Sequence, residues 1–247
     1  MILSQCLNVV PPGFTGDLTQ IGPRDAWWAA RGVGKVEMLA GDKNGTNYAA
    51  SCLKDLGSKK GEFVADIEVP EETLEVPKIV AALRAINYKT IPTAPWGSVD
   101  ARATRRVKLY NWPSRTRSPW GEIDGAIMRG NHDACAAITA ELDEGCLSAY
   151  VWKGEPVSDQ VRRMTMMAAE WRRIAPGKQL TAMLQVTCLD NATAPIDEHL
   201  REDVTTATFE ACRDAGYSSV ILYAGNGRVM NGTEGWYVAT QKWLGRN

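Results

Sequence analysis

The stretch Glu62-Phe63-Val64-Ala65-Asp66-Ile67-Glu68-Val69-Pro70 reads as a short core strand that ends on two acids. The turn Ser58-Lys59-Lys60-Gly61 leads into it and Pro70 stops it. Strand side chains alternate, so Asp66 and Glu68 share a face, roughly 6–7 Å apart, while Phe63, Ala65 and Ile67 take the other. Two carboxylates on the inner side of a core strand are costly to bury without partners. A chain that keeps them there has a use for them. The plain alternative is an acid pair satisfied by arginine, lysine or backbone donors at a strand end.

The chain on either side alternates strand and helix signals. Ile2–Leu7 reads as a first strand, and 23–30 as a short helix stopped at Gly32. Lys35–Ala40 reads as a second strand, stopped by Gly41-Asp42-Lys43-Asn44-Gly45. Tyr48–Leu56 and Glu72–Ile86 carry helical spacing, with Pro77 able to shift the start of the latter. Tyr88–Thr93 and Val107–Asn111 are strand candidates only about a dozen residues apart, which is tight for a crossover helix. Further on, Asn131–Glu144 predicts a helix stopped by Gly145, and Cys146–Trp152 a strand. Ser158 is expected to cap a helix that ends at Pro176-Gly177. Leu180–Cys188, Ile196–Ala215, Ser219–Ala224 and Glu234–Leu244 complete the alternation as strand, helix, strand and helix.

Seven or eight strands in 247 residues, without a linker, point to a parallel sheet. The expected architecture is a single (β/α)8 TIM-type barrel spanning residues 1–247, with one βα unit irregular or missing. The alternative is an open doubly wound α/β sheet. Gly225-Asn226-Gly227 is too short and badly placed for a dinucleotide fingerprint.

Composition narrows the chemistry. A net charge of −1 argues against nucleic acid; Arg102, Arg105, Arg106, Arg115 and Arg117 form basic clusters that a solvated helix face and loop explain about as well as a phosphate-binding surface. No run of 18 apolar residues exists, so no membrane span is expected. The start of the chain, Met1 to Leu7, reads as a core strand and not a signal peptide, so the expectation is a cytoplasmic protein or one whose leader has been removed. Cys6, Cys52, Cys135, Cys146, Cys188 and Cys212 form no CxxC pair and only two histidines are present, so buried thiols are expected, with no metal and no cofactor. Nine tryptophans against three phenylalanines skew the aromatic surface toward indole, which suits sugar clefts, plain cores and interfaces alike.

In a barrel, the reacting groups sit at the C-terminal ends of the strands. Those ends offer Asp66 and Glu68, then Trp96, then Tyr110, Asn111 and Trp112. Tyr150, Trp152 and Lys153 follow, then Gln185, Cys188 and Asp190, and finally Tyr223 and Asn226. Acids, amides, phenols and indoles converge, without a serine-nucleophile motif or a metal-ligand cluster. Each aromatic alone is ordinary packing; their joint appearance at strand ends favours carbohydrate chemistry.

The same residues resemble a known family. Val64-Ala65-Asp66-Ile67-Glu68 is similar to the Asp-x-Glu strand end of hyaluronidase-like glycoside hydrolase barrels. Leu109-Tyr110-Asn111-Trp112-Pro113 resembles their Tyr-x-x-Pro strand, and Leu147-Ser148-Ala149-Tyr150 their Pro-Ser-x-Tyr strand. The run from Ala215 to Tyr223 resembles their closing Gly-x-x-Gly-(Val/Ile)-(Val/Ile)-Leu-Trp strand. These short matches are in order over residues 62–225. Val69-Pro70 stands where the family commonly carries an aromatic after the glutamate, and Tyr223-Ala224 stands in place of Trp-Gly.

The resemblance implies a retaining, substrate-assisted glycoside hydrolase acting on a complex, N-acetylated glycan. Glu68 would be the general acid, Asp66 would orient the substrate's acetamido group, and Tyr150 would assist. Trp96, Tyr110, Asn111, Trp112, Trp152, Gln185, Asp190 and Tyr223 are the expected substrate-binding residues. A two-carboxylate mechanism would instead draw on Asp190, Asp42 or Glu155. A non-catalytic glycan-binding or structural barrel module is the competing reading, and an aldolase-like or isomerase-like barrel is disfavoured by the lack of a lysine inside a strand end. The expected partner is a carbohydrate, with no nucleic acid and no membrane; the oligomeric state is open.

Overall fold

A computed structural model describes residues 1–10, 21–40, 61–66, 91–93, 97–99, 105–109, 136–142, 144–189 and 195–245, together with helical positions Pro77, Val80, Ala81, Leu83 and Arg84. The elements in order are β1 (Ile2–Val10), α1 (Ile21–Ala29), β2 (Gly34–Lys35), β3 (Glu37–Ala40), β4 (Gly61–Asp66), β5 (Ile91–Thr93), β6 (Gly97–Val99) and β7 (Arg105–Leu109). There follow α2 (Ala136–Glu141), β8 (Glu144–Ser148), α3 (Val157–Ile174), β9 (Gln179–Gln185), β10 (Thr187–Leu189), β11 (Pro195–His199), α4 (Glu202–Asp214), β12 (Ser219–Val229) and α5 (Gly235–Trp243).

Eight strands form one sheet in the order β2-β1-β12-β9-β8-β7-β4-β3, and every pairing in it is parallel. The outermost strands of that order, β2 and β3, are neighbours in sequence, separated by Val36 alone. Counted as one segment, Gly34–Ala40 brings the sheet to seven strand segments among the described residues.

The strands are apolar on both faces, as parallel strands covered by helices must be. On the outer face Leu3, Leu147, Leu180, Ala182, Leu184, Val220 and Leu222 pack with Met164, Trp171, Phe209 and Trp236 from the helices. On the inner face Val36, Val64, Cys146, Met183 and Ile221 form a second, separate cluster. Val36 lies between the two outermost strands, Val64 in the last strand but one, and Met183 and Ile221 in the middle of the order, yet all pack in one cluster, which a curled sheet allows.

Helix ends follow local charge. α3 has Asp159 in its first turn and Arg172 and Arg173 in its last, and α4 has Glu202 and Asp203 first and Arg213 last, each arrangement complementing the helix dipole. Gly216 follows α4 with φ +78°, the left-handed stop expected there. Lys178 Nζ donates to the carbonyls of Thr139 at 2.8 Å and Leu142 at 2.6 Å, neutralising the C-terminal end of α2.

Several expectations are corrected. Residues 91–93 pair antiparallel with 97–99 in a separate hairpin, so this segment is not a strand of the parallel sheet. Gly145 does not end a helix; it lies inside β8, where an added Cβ would come within 2.9 Å of Leu180 and 3.0 Å of the Trp171 ring. The helix assigned to 196–215 begins only at Glu202, because Pro195–His199 instead pairs antiparallel with β10. Pro156, not Ser158, occupies the N-cap of α3. Arg105 and Arg106 lie in β7 and not on a helix face. Among the described cysteines Cys146, Cys188 and Cys212 are buried thiols. Trp28, Trp171 and Trp236 are fully buried. At about 25 cal/mol per Å², each such ring contributes roughly 4–6 kcal/mol of burial, which accounts for three of the nine indoles without a ligand.

Two outcomes test this packing. The start of α5 lies directly on the chain between Leu200 and Glu202: Trp236 N–H donates to Leu200 O at 3.0 Å, and a Cβ on Gly235 would come within 2.7 Å of both Leu200 O and Arg201 C. Backbone cannot step aside, so Gly235→Ala is expected to cost about 2–3 kcal/mol in denaturant unfolding. Gly154→Ala, where φ is +79° and nothing lies within 4 Å, should cost about 1 kcal/mol. Equal costs would contradict the close contact. The second concerns Tyr217, whose hydroxyl donates to Met164 O at 2.9 Å. Burial holds this phenol well above its ordinary range and also raises the Cys212 thiol. Both groups favour the folded state in their neutral forms. Their stabilisation is therefore complete below the unfolded-state values and falls away as pH climbs above about 9–10. Tyr217→Phe should lose about 1 kcal/mol at neutral pH yet show a shallower alkaline loss; an unchanged alkaline slope would contradict the assignment.

Candidate functional site at the strand ends

The C-terminal edge of the sheet carries the described residues that the sequence singles out. Beyond the end of β8, Ala149 N–H donates to Met183 O at 2.8 Å, which keeps the chain beside β9 as it delivers Tyr150. Val186 N–H donates to Tyr223 O at 3.0 Å, joining the end of β9 to β12. Tyr150 and Tyr223 thereby stack nearly parallel, with centroids 6.4 Å apart and planes 7° apart. Both rings are half-buried and pack on the inner cluster of Val36, Val64, Cys146, Met183 and Ile221. They roof the inner face at the edge where catalytic groups sit in parallel α/β sheets.

Gln185 is buried beside them at the last position of β9, and its amide nitrogen donates to Thr187 Oγ1 at 3.0 Å. Trp152 lies two residues beyond Tyr150, in the loop that leads to α3, and is half-buried. Thr187 starts the β10–β11 hairpin, and Cys188 follows it. Burial raises the Cys188 thiol, reinforced by the charge of Glu198 and opposed by Arg201 and Lys153. Cys188 is a buried, packed thiol. His199, at the end of β11, accepts the indole N–H of Trp236 at Nδ1, 3.3 Å away.

Asp66 is the last residue of β4, paired in register with Ala40. Alternation along β4 sets position 66 on the face of Val64, which is fully buried in the inner cluster. Only the backbone of Asp66 is described. Glu68, Trp96, Tyr110, Asn111, Trp112 and Asp190 lie outside the described residues, as does Asp42. The structure thus brings Tyr150, Tyr223, Gln185 and Trp152 to one edge.

Two acids have structural duties. Glu155, one of the acids considered for a two-carboxylate mechanism, is corrected: its side chain is 8% exposed and ion-paired with Arg163 at 3.0 Å, and it accepts the Trp152 N–H at 3.0 Å. Glu144 begins β8 at the opposite end of the inner face. It accepts hydrogen bonds from Ser218 Oγ at 2.7 Å and from Thr181 Oγ1, and Thr181 in turn meets Ser219 Oγ at 2.6 Å. A satisfied carboxylate at the N-terminal edge serves stability. Sequence reasoning missed the whole arrangement around Arg163. Arg163 lies eight and thirteen positions from Glu155 and Tyr150, so local spacing does not announce those two contacts.

A groove of about 390 Å³ between α3 and α4, lined by Val161, Thr165, Arg172, Ala207, Glu210 and Asp214 among others, lies on the outer helical layer and holds none of these residues. Among the described residues no group of three or more His, Cys, Asp or Glu side chains could hold a metal ion, and no helix is long and apolar enough to cross a membrane.

No family model and no curated protein matches the chain. Similarity is found among solved structures. Bee venom hyaluronidase superposes with a TM-score of 0.50 at 13% identity, over 79% of this chain and 73% of that one. The same enzyme in complex with a hyaluronic acid tetramer gives 0.52 at 13% identity, over 84% and 82% of the two chains. The hyperthermostable endo-1,4-β-D-mannanase from Thermotoga petrophila RKU-1, solved with maltose and glycerol, gives 0.52 at 11% identity, over 96% and 86%. The likeness is one of fold: a parallel α/β architecture of the kind found in TIM-barrel glycosidases.

Proposed function

We propose that residues 1–247 form one curled barrel domain, joined to itself through Val36, that hydrolyses a complex, N-acetylated glycan at the C-terminal edge of its strands. The observation that carries this reading is the position of Asp66. It ends β4 two residues after Val64, and Val64 packs in the cluster that Tyr150 and Tyr223 cover. An acid-bearing strand end and an aromatic roof thus rise from one patch of the inner face. The solved structures of similar fold support a glycan as substrate, since one holds a hyaluronic acid tetramer and another maltose.

In this reading Glu68 protonates the glycosidic oxygen as the bond to the anomeric carbon breaks. The carbonyl oxygen of the substrate's own acetamido group attacks that carbon, with Asp66 holding the acetamido N–H and Tyr150 orienting the group. Water then opens the cyclic intermediate, giving its proton to Glu68, and the anomeric configuration is retained. The role requires Glu68 to stay protonated near neutral pH, which a neighbouring carboxylate and an aromatic wall both favour. Pyranose rings would stack on Tyr150, Tyr223 and the indole of Trp152, where flat faces meet axial C–H groups. Gln185 offers an amide for a hydroxyl, and Trp96, Tyr110, Asn111, Trp112 and Asp190 would extend the cleft.

Glu68→Gln is expected to reduce hydrolysis of hyaluronan or a chromogenic N-acetylhexosaminide by about 10²–10⁴-fold, with thermal unfolding unchanged. Asp66→Asn should lower turnover more than it weakens binding. Undiminished turnover in Glu68→Gln would refute the assignment. A wild-type protein that binds the glycan, never cleaves it, and loses binding in Trp152→Ala would be the non-catalytic module instead.

A further inference from the structure

The loop that carries Tyr150 and Trp152 is held by three side chains that no catalytic role uses. Gln160, buried on α3, donates from Nε2 to Ala149 O at 3.0 Å. Arg163, one turn further along α3, donates from Nη2 to Tyr150 O at 2.6 Å. The same nitrogen reaches both carboxylate oxygens of Glu155, at 3.0 and 3.1 Å, and the side-chain oxygen of Gln160. Glu155 in turn accepts the Trp152 N–H at 3.0 Å, while its own N–H donates to Trp152 O at 3.0 Å. Residues 150 and 152 are therefore tied directly to one ionic centre, and residue 149 to it through Gln160.

That centre is shielded from water. The Arg163 and Glu155 side chains are 12% and 8% exposed, whereas the nearby Lys153–Glu198 pair, at 3.7 Å, is 61% and 53% exposed. A loop of this length needs only its turn to fold, and the Trp152–Glu155 backbone bond with Gly154 at φ +79° already supplies one. A largely shielded guanidinium also binds the carbonyl of Tyr150, the residue that bears one of the stacked rings.

We propose that Arg163 and Glu155 are positioning residues, a shielded ion pair on the rear of the site that sets the Tyr150–Tyr223 pair for the sugar. The inference rests on the glycan reading for its ligand, but the clamp itself can be tested without one. Removing a single partner leaves the other charge buried, so Arg163→Met alone is prone to misfold. The informative protein is Glu155→Gln/Arg163→Met, which removes both charges and keeps the volume. In hydrogen exchange on the full chain it should exchange residues 149–153 at least tenfold faster than wild type, with 179–185 in β9 unchanged, and its tyrosine near-ultraviolet dichroism should fall. Titrated with a hyaluronan tetrasaccharide or chitotetraose, it should bind about tenfold more weakly. Added to Tyr150→Ala/Trp152→Ala, the double substitution should cost nothing further, because the clamp acts through the two rings that this loop carries. Unchanged exchange, unchanged affinity despite a loosened loop, or additive losses would each overturn the proposal. If wild type binds neither sugar, the glycan reading fails for those ligands, and exchange with dichroism still decides the clamp.

Discussion

Everything in this structure depends on a strand alternation that leaves neither face of the sheet polar. One set of side chains, Leu147, Leu180, Leu184, Val220 and Leu222 among them, must be covered by helices. The other, Val36, Val64, Cys146, Met183 and Ile221, is covered among the described residues by its own members and by Tyr150 and Tyr223. A parallel sheet buried on both faces has few ways to satisfy that demand, and curling until the inner residues meet is one of them. The inner cluster then leaves two edges. Polar groups that reach the N-terminal edge are bonded to one another, as Glu144, Thr181, Ser218 and Ser219 are. At the C-terminal edge stand two flat phenols and a strand that ends on an acid.

Much of this was legible in the sequence, because parallel strands advertise themselves as short continuous apolar runs between helices. Ile2–Leu7 and Ser219–Ala224 fall within observed strands, and the strands read at Glu62–Pro70 and Leu180–Cys188 are observed as far as Asp66 and Gln185. The tight spacing between residues 88–93 and 107–111 also carried information. A dozen residues cannot supply a crossover, and the first segment indeed leaves the parallel sheet for a hairpin. What misled was local pattern overridden by tertiary contact. Gly145 follows an apparent helix and looks like its stop, yet it is a strand glycine packed under Trp171 and Leu180. Pro195 to His199 carries the acidic composition of a helix start, yet its backbone pairs with Thr187–Leu189. The packing partners of Gly145 lie far along the chain, so no window around it could have found them.

The site was less legible than the fold, for a related reason. Residue type and strand-end position mark Tyr150, Gln185 and Tyr223 well, since a period of two predicts which face they take. They do not mark what an acid is doing. Glu155 carries the same charge as a catalytic carboxylate and lies just beyond a strand end. Only the proximity of Arg163 and the Trp152 N–H shows that its oxygens are occupied. Tryptophan was ambiguous in the same way: Trp28, Trp171 and Trp236 are structural, and Trp152 alone of the described indoles stands by the site.

The most direct measurement is a crystal structure of the protein with a hyaluronan tetrasaccharide. The account predicts sugar rings lying over Tyr150 and Tyr223, with the Glu68 carboxyl within hydrogen-bond reach of a glycosidic oxygen and Asp66 beside the acetamido nitrogen. Electron density placing both acids against bulk water, or bound to arginine with no cavity before them, would contradict it.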